Sequence, residues 1–211
     1  MEADRFRINP EHIDRDELTE LVRAMKDGAV IIYPTDTVYG FGCDITKKRA
    51  VERIAALKGV KAEKSKFAMI FYDLSHISEY TKPMSSATFR MLKRALPGPY
   101  TFILEANSRV PKIFNQNAKK EVGIRVPDHL VPREIVRALG NPIVTSSVLN
   151  EEDDILEYST DPDDLYEKFK HDVDIFIDGG FGNNIASTVI DCTNEPFEVL
   201  REGLGSTDVL N

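Results

Sequence analysis

The chain of 211 residues lacks long hydrophobic runs, its apolar stretches reaching four to six residues against the roughly 18 to 20 that a membrane-spanning helix needs. No membrane partner is expected. The opening Met1-Glu2-Ala3-Asp4-Arg5 also lacks the basic-then-apolar layout of a secretory signal, so no export is implied. Cysteine is scarce. Cys43 and Cys192 stand far apart, outside any zinc-binding spacing, and read as reduced core thiols in a cytoplasmic protein. Histidine is equally sparse: His12, His76, His129 and His171 are scattered, and no serine occupies a Gly-x-Ser-x-Gly elbow, which removes support for a hydrolytic triad. His129, beside Asp128, reads as a surface-loop residue. Net positive charge is missing too. With 27 Lys and Arg against 35 Asp and Glu, the balance of -8 argues against a generic nucleic-acid coat, which needs a basic field. Finally, there is no Gly-x4-Gly-Lys-Ser/Thr loop, and Gly40-x-Gly42 has no third glycine at the dinucleotide offset.

What is present suits one α/β domain over residues 1–211, with 42% hydrophobic content enough for a substantial core. Charge is unevenly spread. Residues 47–66 carry eight basic side chains against two acidic ones, a local +6, whereas residues 151–174 carry eleven acids against two lysines, a local -9. A basic segment in an acidic protein suits a small polyanion such as a nucleotide; taken alone, solvated helix faces are the commoner outcome of such runs. The acidic block 151–154 reads as a surface loop.

Asp14 or Asp16 can cap a helix whose apolar positions Leu18, Leu21, Val22 and Met25 recur at three and four, with Gly28 as its stop. The apolar strand 29–33 follows and ends at Pro34. A helix is expected from Thr46 to Leu57, ending at Gly59. Further strands are expected at 67–71, 100–105, 122–126, 143–147, 174–178, 186–191 and 197–200, with helices near 74–80, 84–95, 131–139 and 162–170. Pro132 and Pro162 fit first helical turns. The aromatic residues of 67–72 alternate as strand core rather than as a base-stacking platform. The sum is a twisted mixed sheet flanked by helices, with hairpin-like strands at the end and a turn at 179–184 joining two apolar strands.

Polar groups recur at the strand ends. Pro34-Thr35-Asp36-Thr37 offers hydroxyls, a carboxylate and backbone N–H groups after an apolar strand, where open α/β sheets place ligands; on its own this segment divides evenly between a ligand site and a locally capped turn. Pro97-Gly98-Pro99-Tyr100-Thr101 is a rigid corner feeding a strand. Gly123-Ile124-Arg125-Val126-Pro127 sets an arginine inside an apolar strand, so Arg125 is either an internal ion-pair partner or a ligand for phosphate or carboxylate. Thr145-Ser146-Ser147 ends one strand and Ser187-Thr188 begins another. Together they favour one shared polar pocket.

These segments, with Leu200-Arg201-Glu202-Gly203, occur in an order that resembles the YrdC/YciO family over roughly residues 12–205. The resemblance implies a twisted mixed sheet with a concave basic groove. It also implies synthesis of L-threonylcarbamoyl-AMP from threonine, bicarbonate and ATP with release of pyrophosphate, toward tRNA threonylcarbamoyladenosine, with Mg2+ bridging phosphate oxygens. By resemblance, Lys58 and Arg125 face phosphates and carboxylate, Thr35 and Arg125 meet the threonine part, and Thr101, Ser146, Ser187 and Arg201 hold the nucleotide. The family also implies double-stranded RNA as a partner. Two motifs are incomplete: Lys58-Gly59-Val60 has valine where the synthase branch has arginine, and Ser146-Ser147-Val148 has valine where it has asparagine. That pattern resembles the YciO branch. It leaves open a threonylcarbamoyl-adenylate hydrolase, or an RNA- or nucleotide-binding module without synthase activity.

Overall fold

The computed structural model describes residues 2–9, 12–59, 67–111, 120–148 and 160–210. Five helices and ten strands alternate through them: β1 (Asp4–Arg7), α1 (Arg15–Lys26), β2 (Ile31–Tyr33), β3 (Gly40–Asp44), α2 (Lys48–Leu57), β4 (Ala68–Ile70), α3 (Ser86–Ala95), β5 (Tyr100–Glu105), β6 (Glu121–Arg125), α4 (Leu130–Leu139), β7 (Ile143–Ser147), α5 (Pro162–Phe169), β8 (Ile175–Asp178), β9 (Thr188–Asp191) and β10 (Glu198–Arg201). The strands form one mixed sheet in the order β1-β8-β2-β3-β7-β4-β6-β5-β9-β10.

Local chemistry sets the helix limits. The Asp14 side chain accepts from the backbone N–H groups of Asp16 and Glu17 at the start of α1, and Gly140 stops α4 in the left-handed conformation. Pro162 opens α5 behind the Asp161 cap, where its missing N–H is no loss.

Because strand side chains alternate between faces, the core divides in two. On one face Ile32, Phe41, Cys43, Val144, Met69, Ile124, Phe102 and Phe176 pack beneath α2, α3 and α5. On the other, Ile31, Tyr33, Ile143, Ile70, Ile175 and Ile177 pack beneath α1 and α4. This second cluster takes in no residue of β5, β6, β9 or β10. The same face there is left for polar groups.

Several sequence expectations change. β1 and β3 are additional strands: β1 carries charged side chains at the sheet edge, and the two glycines of β3 hide its strand character. Gly42 is required by Tyr33, since a Cβ there would lie 2.6 Å from the Tyr33 ring. The helix expected at 74–80 shrinks to a 3-10 turn, Ile77–Glu79. The turn at 179–184 does not close a hairpin. It connects β8, paired with β1 and β2, to β9, paired with β5 and β10 on the far side of the sheet. The terminal hairpin is β9-β10. The acidic block 151–154 lies outside the described residues.

Candidate functional site

The loop between β2 and β3 is shaped by its own hydroxyls. Thr35 Oγ1 donates to the Val38 carbonyl at 2.8 Å and accepts from the Thr37 N–H at 3.0 Å, so this hydroxyl fixes the loop while its side chain lines an adjoining cleft. The next residue, Asp36, reaches across the fold. Its carboxylate accepts from Arg125 Nη2 at 3.0 Å and from the Asp128 N–H at 2.9 Å, joining the loop, the end of β6 and the start of α4. The partners are 89 residues apart, a pairing that no local spacing announces.

Arg125 is therefore an internal ion-pair partner, the first of the two roles the sequence allowed. Both of its hydrogen bonds are made by Nη2, to Asp36 and to Thr37 Oγ1 at 3.0 Å, while Nε is buried with no acceptor among the described residues. A buried donor without an acceptor costs on the order of 1–3 kcal/mol, which an incoming oxygen recovers.

Register carries the polar series onward. Arg125 pairs with Ile70 and so shares the face of the second cluster; Thr101 pairs with Val189, and Val189 with Arg201, all on that face but outside that cluster. Thr101 and Ser187 share a buried hydroxyl contact of 2.8 Å. Arg201 donates through Nε and Nη2 to the Ser187 carbonyl at 3.1 and 3.0 Å, and through Nη2 to the Ser187 hydroxyl at 3.2 Å. Thr35, Arg125, Thr101, Ser187 and Arg201 thus lie along one polar seam with Asp36 and Thr37.

Lys58 and Ser146 lie in a second group at the end of β7. Lys58 caps α2 and donates through Nζ to the Ser147 carbonyl at 3.1 Å. Strand alternation puts Ser146 on the face of Val144 and Val148, not that of Arg125. Val148 is 7% exposed within the first core cluster, and its N–H donates to the Tyr39 carbonyl at 3.1 Å. Val60 and the lysines at 61, 64 and 66 lie outside the described residues.

His129 is not a surface-loop side chain. It is the N-cap of α4, its Nδ1 accepting from the Val131 N–H at 3.3 Å, and it lines the cleft beside Thr35. Burial holds its imidazolium below the ordinary value, although Asp36 and Asp128 pull the other way. Tyr39 braces the opposite wall: it accepts from the Gly179 N–H and donates to the Gly180 carbonyl, with its phenol pushed up to about 12 by burial. Both cysteines are free, and burial raises both thiols. Among the described residues no helix is long and apolar enough to cross a membrane, and no group of His, Cys, Asp or Glu is arranged to hold a metal ion.

The family model for Sua5, YciO and YrdC proteins, described as telomere recombination, matches residues 23–203. The chain belongs to this family. Escherichia coli YciO is 34% identical over 200 residues, 95% of each chain, and its crystal structure superposes with a TM-score of 0.91 across 99% of this chain and 100% of that one. A threonylcarbamoyl-AMP synthase of Chromobacterium violaceum is 36% identical over 125 residues, 59% of this chain and 64% of the synthase. P. abyssi Sua5 complexed with L-threonine is 25% identical, with a TM-score of 0.81 over 94% of this chain and 57% of that chain. The mixed sheet with flanking helices is the fold of these relatives.

Proposed function

We propose that this Sua5/YciO/YrdC family member binds an adenine nucleotide and a threonine-derived group along the polar seam and carries out threonylcarbamoyl-adenylate chemistry. The observation that carries the reading is Arg125, a guanidinium 8% exposed on the part of the sheet face outside the apolar cluster under α1 and α4, with a buried Nε that meets no acceptor among the described residues. A carboxylate or phosphate oxygen supplies that acceptor. Thr101, Ser187 and Arg201, one, two and three strands along, offer hydroxyls and a second guanidinium to the nucleotide. The synthase relative and the threonine-bound Sua5 support the same pairing of ligands.

In the synthetic direction, an oxygen of the threonine carbamate, formed from threonine and bicarbonate, attacks the α-phosphorus of ATP. The bond from that phosphorus to the β-bridging oxygen breaks, and pyrophosphate leaves. Charge grows on the phosphoryl oxygens and the leaving group, where Arg125 and Lys58 are the cations of choice. Mg2+ enters with the nucleotide as part of the substrate. A reaction on ATP toward tRNA modification suits the cytoplasm.

Val148 favours a second reading, cleavage of the adenylate or binding without synthesis. Its side chain is part of the core and supplies no donor at a position where the synthase branch carries asparagine. One experiment covers both directions: mass spectrometry of nucleotide products from ATP, L-threonine and bicarbonate, and separately from threonylcarbamoyl-AMP. Turnover in either direction that falls at least ten-fold in Arg201→Gln supports the proposal. No turnover in either direction, together with no binding of AMP or threonine, removes it.

A further inference from the structure

Three of the polar segments meet at one side chain outside the seam. Thr188 opens β9 beside Tyr100 of β5 and is fully buried. Its N–H donates to the Pro99 carbonyl at 3.0 Å, which ties it to the proline and glycine corner that feeds β5. Its hydroxyl turns instead to the loop that follows β10. Oγ1 accepts from the Gly203 N–H at 2.9 Å and donates to the Gly205 carbonyl at 2.6 Å, so one hydroxyl satisfies both a donor and an acceptor of the same loop.

That loop is closely seated. The Leu204 N–H donates to the Ala186 carbonyl at 2.8 Å, and a Cβ on Gly203 would stand 2.2 Å from the same carbonyl oxygen and 2.6 Å from the Ser187 carbonyl carbon. Gly203 therefore lies against the peptide that carries Ser187. At Gly205 the Tyr100 ring packs so closely that a Cβ would fall 2.4 Å from it, and the Tyr100 hydroxyl donates to the Ser206 carbonyl at 3.1 Å. Two residues before Gly203 stands Arg201, whose guanidinium reaches the Ser187 carbonyl and hydroxyl. Strand alternation puts the Thr188 side chain on the face of Ile190, in the first core cluster, whereas Thr101 and Arg201 lie on the opposite face. The Thr188 hydroxyl therefore touches no ligand held in the seam. Its influence passes through the backbone on which Ser187 and Arg201 are mounted.

We infer that Thr188 is a positioning residue for the seam: by joining Gly203 to Gly205 it seats the loop after β10 on the start of β9 and so fixes the Arg201 guanidinium against Ser187. The inference rests on the nucleotide reading of the seam and adds to it a residue beyond the ligand's reach. Valine at this position would keep the shape and lose both hydrogen bonds, leaving the Gly203 N–H and the Gly205 carbonyl to find other partners by moving the loop. Serine would keep both bonds.

The test measures AMP binding by calorimetry, and the Arg201 Nε–H resonance of the ligand-free chain, in wild type, Thr188→Val, Thr188→Ser, Gly203→Ala, Arg201→Gln and the double variant Thr188→Val/Arg201→Gln. Thermal unfolding checks that each is folded. Thr188→Val is expected to weaken AMP about ten-fold and to move the Arg201 resonance, and Thr188→Ser to restore both. Gly203→Ala lifts the loop from Ala186 while leaving the Thr188 hydroxyl in place, so it should reproduce the loss by a separate route, and it carries the comparison if the valine variant does not fold. In the double variant the valine should add nothing to the loss from Arg201→Gln, because the two side chains act as one unit. The inference is overturned if displacing the loop leaves the Arg201 resonance unmoved, if Thr188→Ser loses as much affinity as Thr188→Val, or if the two losses add in the double variant. AMP binding that weakens in Arg201→Gln but in neither Thr188→Val nor Gly203→Ala also overturns it and leaves the seam's nucleotide reading standing. A wild-type chain that binds no AMP removes both.

Discussion

Two halves of one sheet face are built to opposite ends. Under α1 and α4 the face is closed by Ile31, Tyr33, Ile70, Ile143, Ile175 and Ile177, all at most 4% exposed. Further along the same surface, β6, β5, β9 and β10 present Arg125, Thr101 and Arg201 with Ser187, and none of these joins the apolar cluster. The sheet is continuous across the two halves, with one register shift between Val199 and Arg201 in β10. What differs is the side chain at each position on this face: one half is apolar and closed, and the other is polar, with the buried Arg125 Nε meeting no acceptor among the described residues.

The largest expected effect falls where the halves meet. Arg125 and Asp36 form a pair with side-chain exposures of 10% and 8%, and Arg125→Ala leaves the carboxylate buried without its cation. Loss of about 3–5 kcal/mol in urea unfolding is expected, with part of it recovered on adding Asp36→Asn. A cost below about 1 kcal/mol would show that the junction is not a structural tie. Next comes the closed half: Ile143→Ala removes a fully buried side chain and should cost about 3 kcal/mol, with AMP binding by the folded fraction unchanged. If AMP affinity falls with it, the halves are not separable.

Val148→Asn is expected to cost about 2 kcal/mol, because it sends an amide into the first core cluster. An unaltered unfolding midpoint would show that the position can swing toward the groove. The smallest effect is a pH dependence from His129. Its folded imidazole resists protonation below the ordinary 6.5, so the unfolded chain takes up the proton first; this contribution is complete above 6.5 and is lost as pH falls from there toward the lower folded value. His129→Asn keeps a capping side chain and should flatten the stability profile across that window, which thermal unfolding between pH 5 and 8 measures.

The closed half was legible in the sequence because burial writes a pattern: the period of α1 and the apolar strands at 29–33 and 143–147 follow from it. β1 and β3 escaped, one for charge at the sheet edge and one because it is glycine-rich, with Gly42 set by the Tyr33 ring and Gly40 lying against Thr145 rather than either following strand propensity. Of the candidate site, Arg125, Thr101, Ser187 and Arg201 were recognisable as polar residues at strand ends. Their union in one seam depends on strand order, and so does the bridge from Asp36 to Arg125. His129 carries no local signal, since a capping imidazole acquires meaning only when distant loops meet.

The most direct test of the seam is AMP binding by calorimetry to the wild-type chain, to Thr101→Val and to Ser187→Ala, alongside Ile103→Val on the same face as a control. The account predicts that the first two substitutions weaken AMP about ten-fold each, with unfolding free energies within about 1.5 kcal/mol of wild type and the control unchanged. AMP affinity that is the same in all four proteins would contradict it.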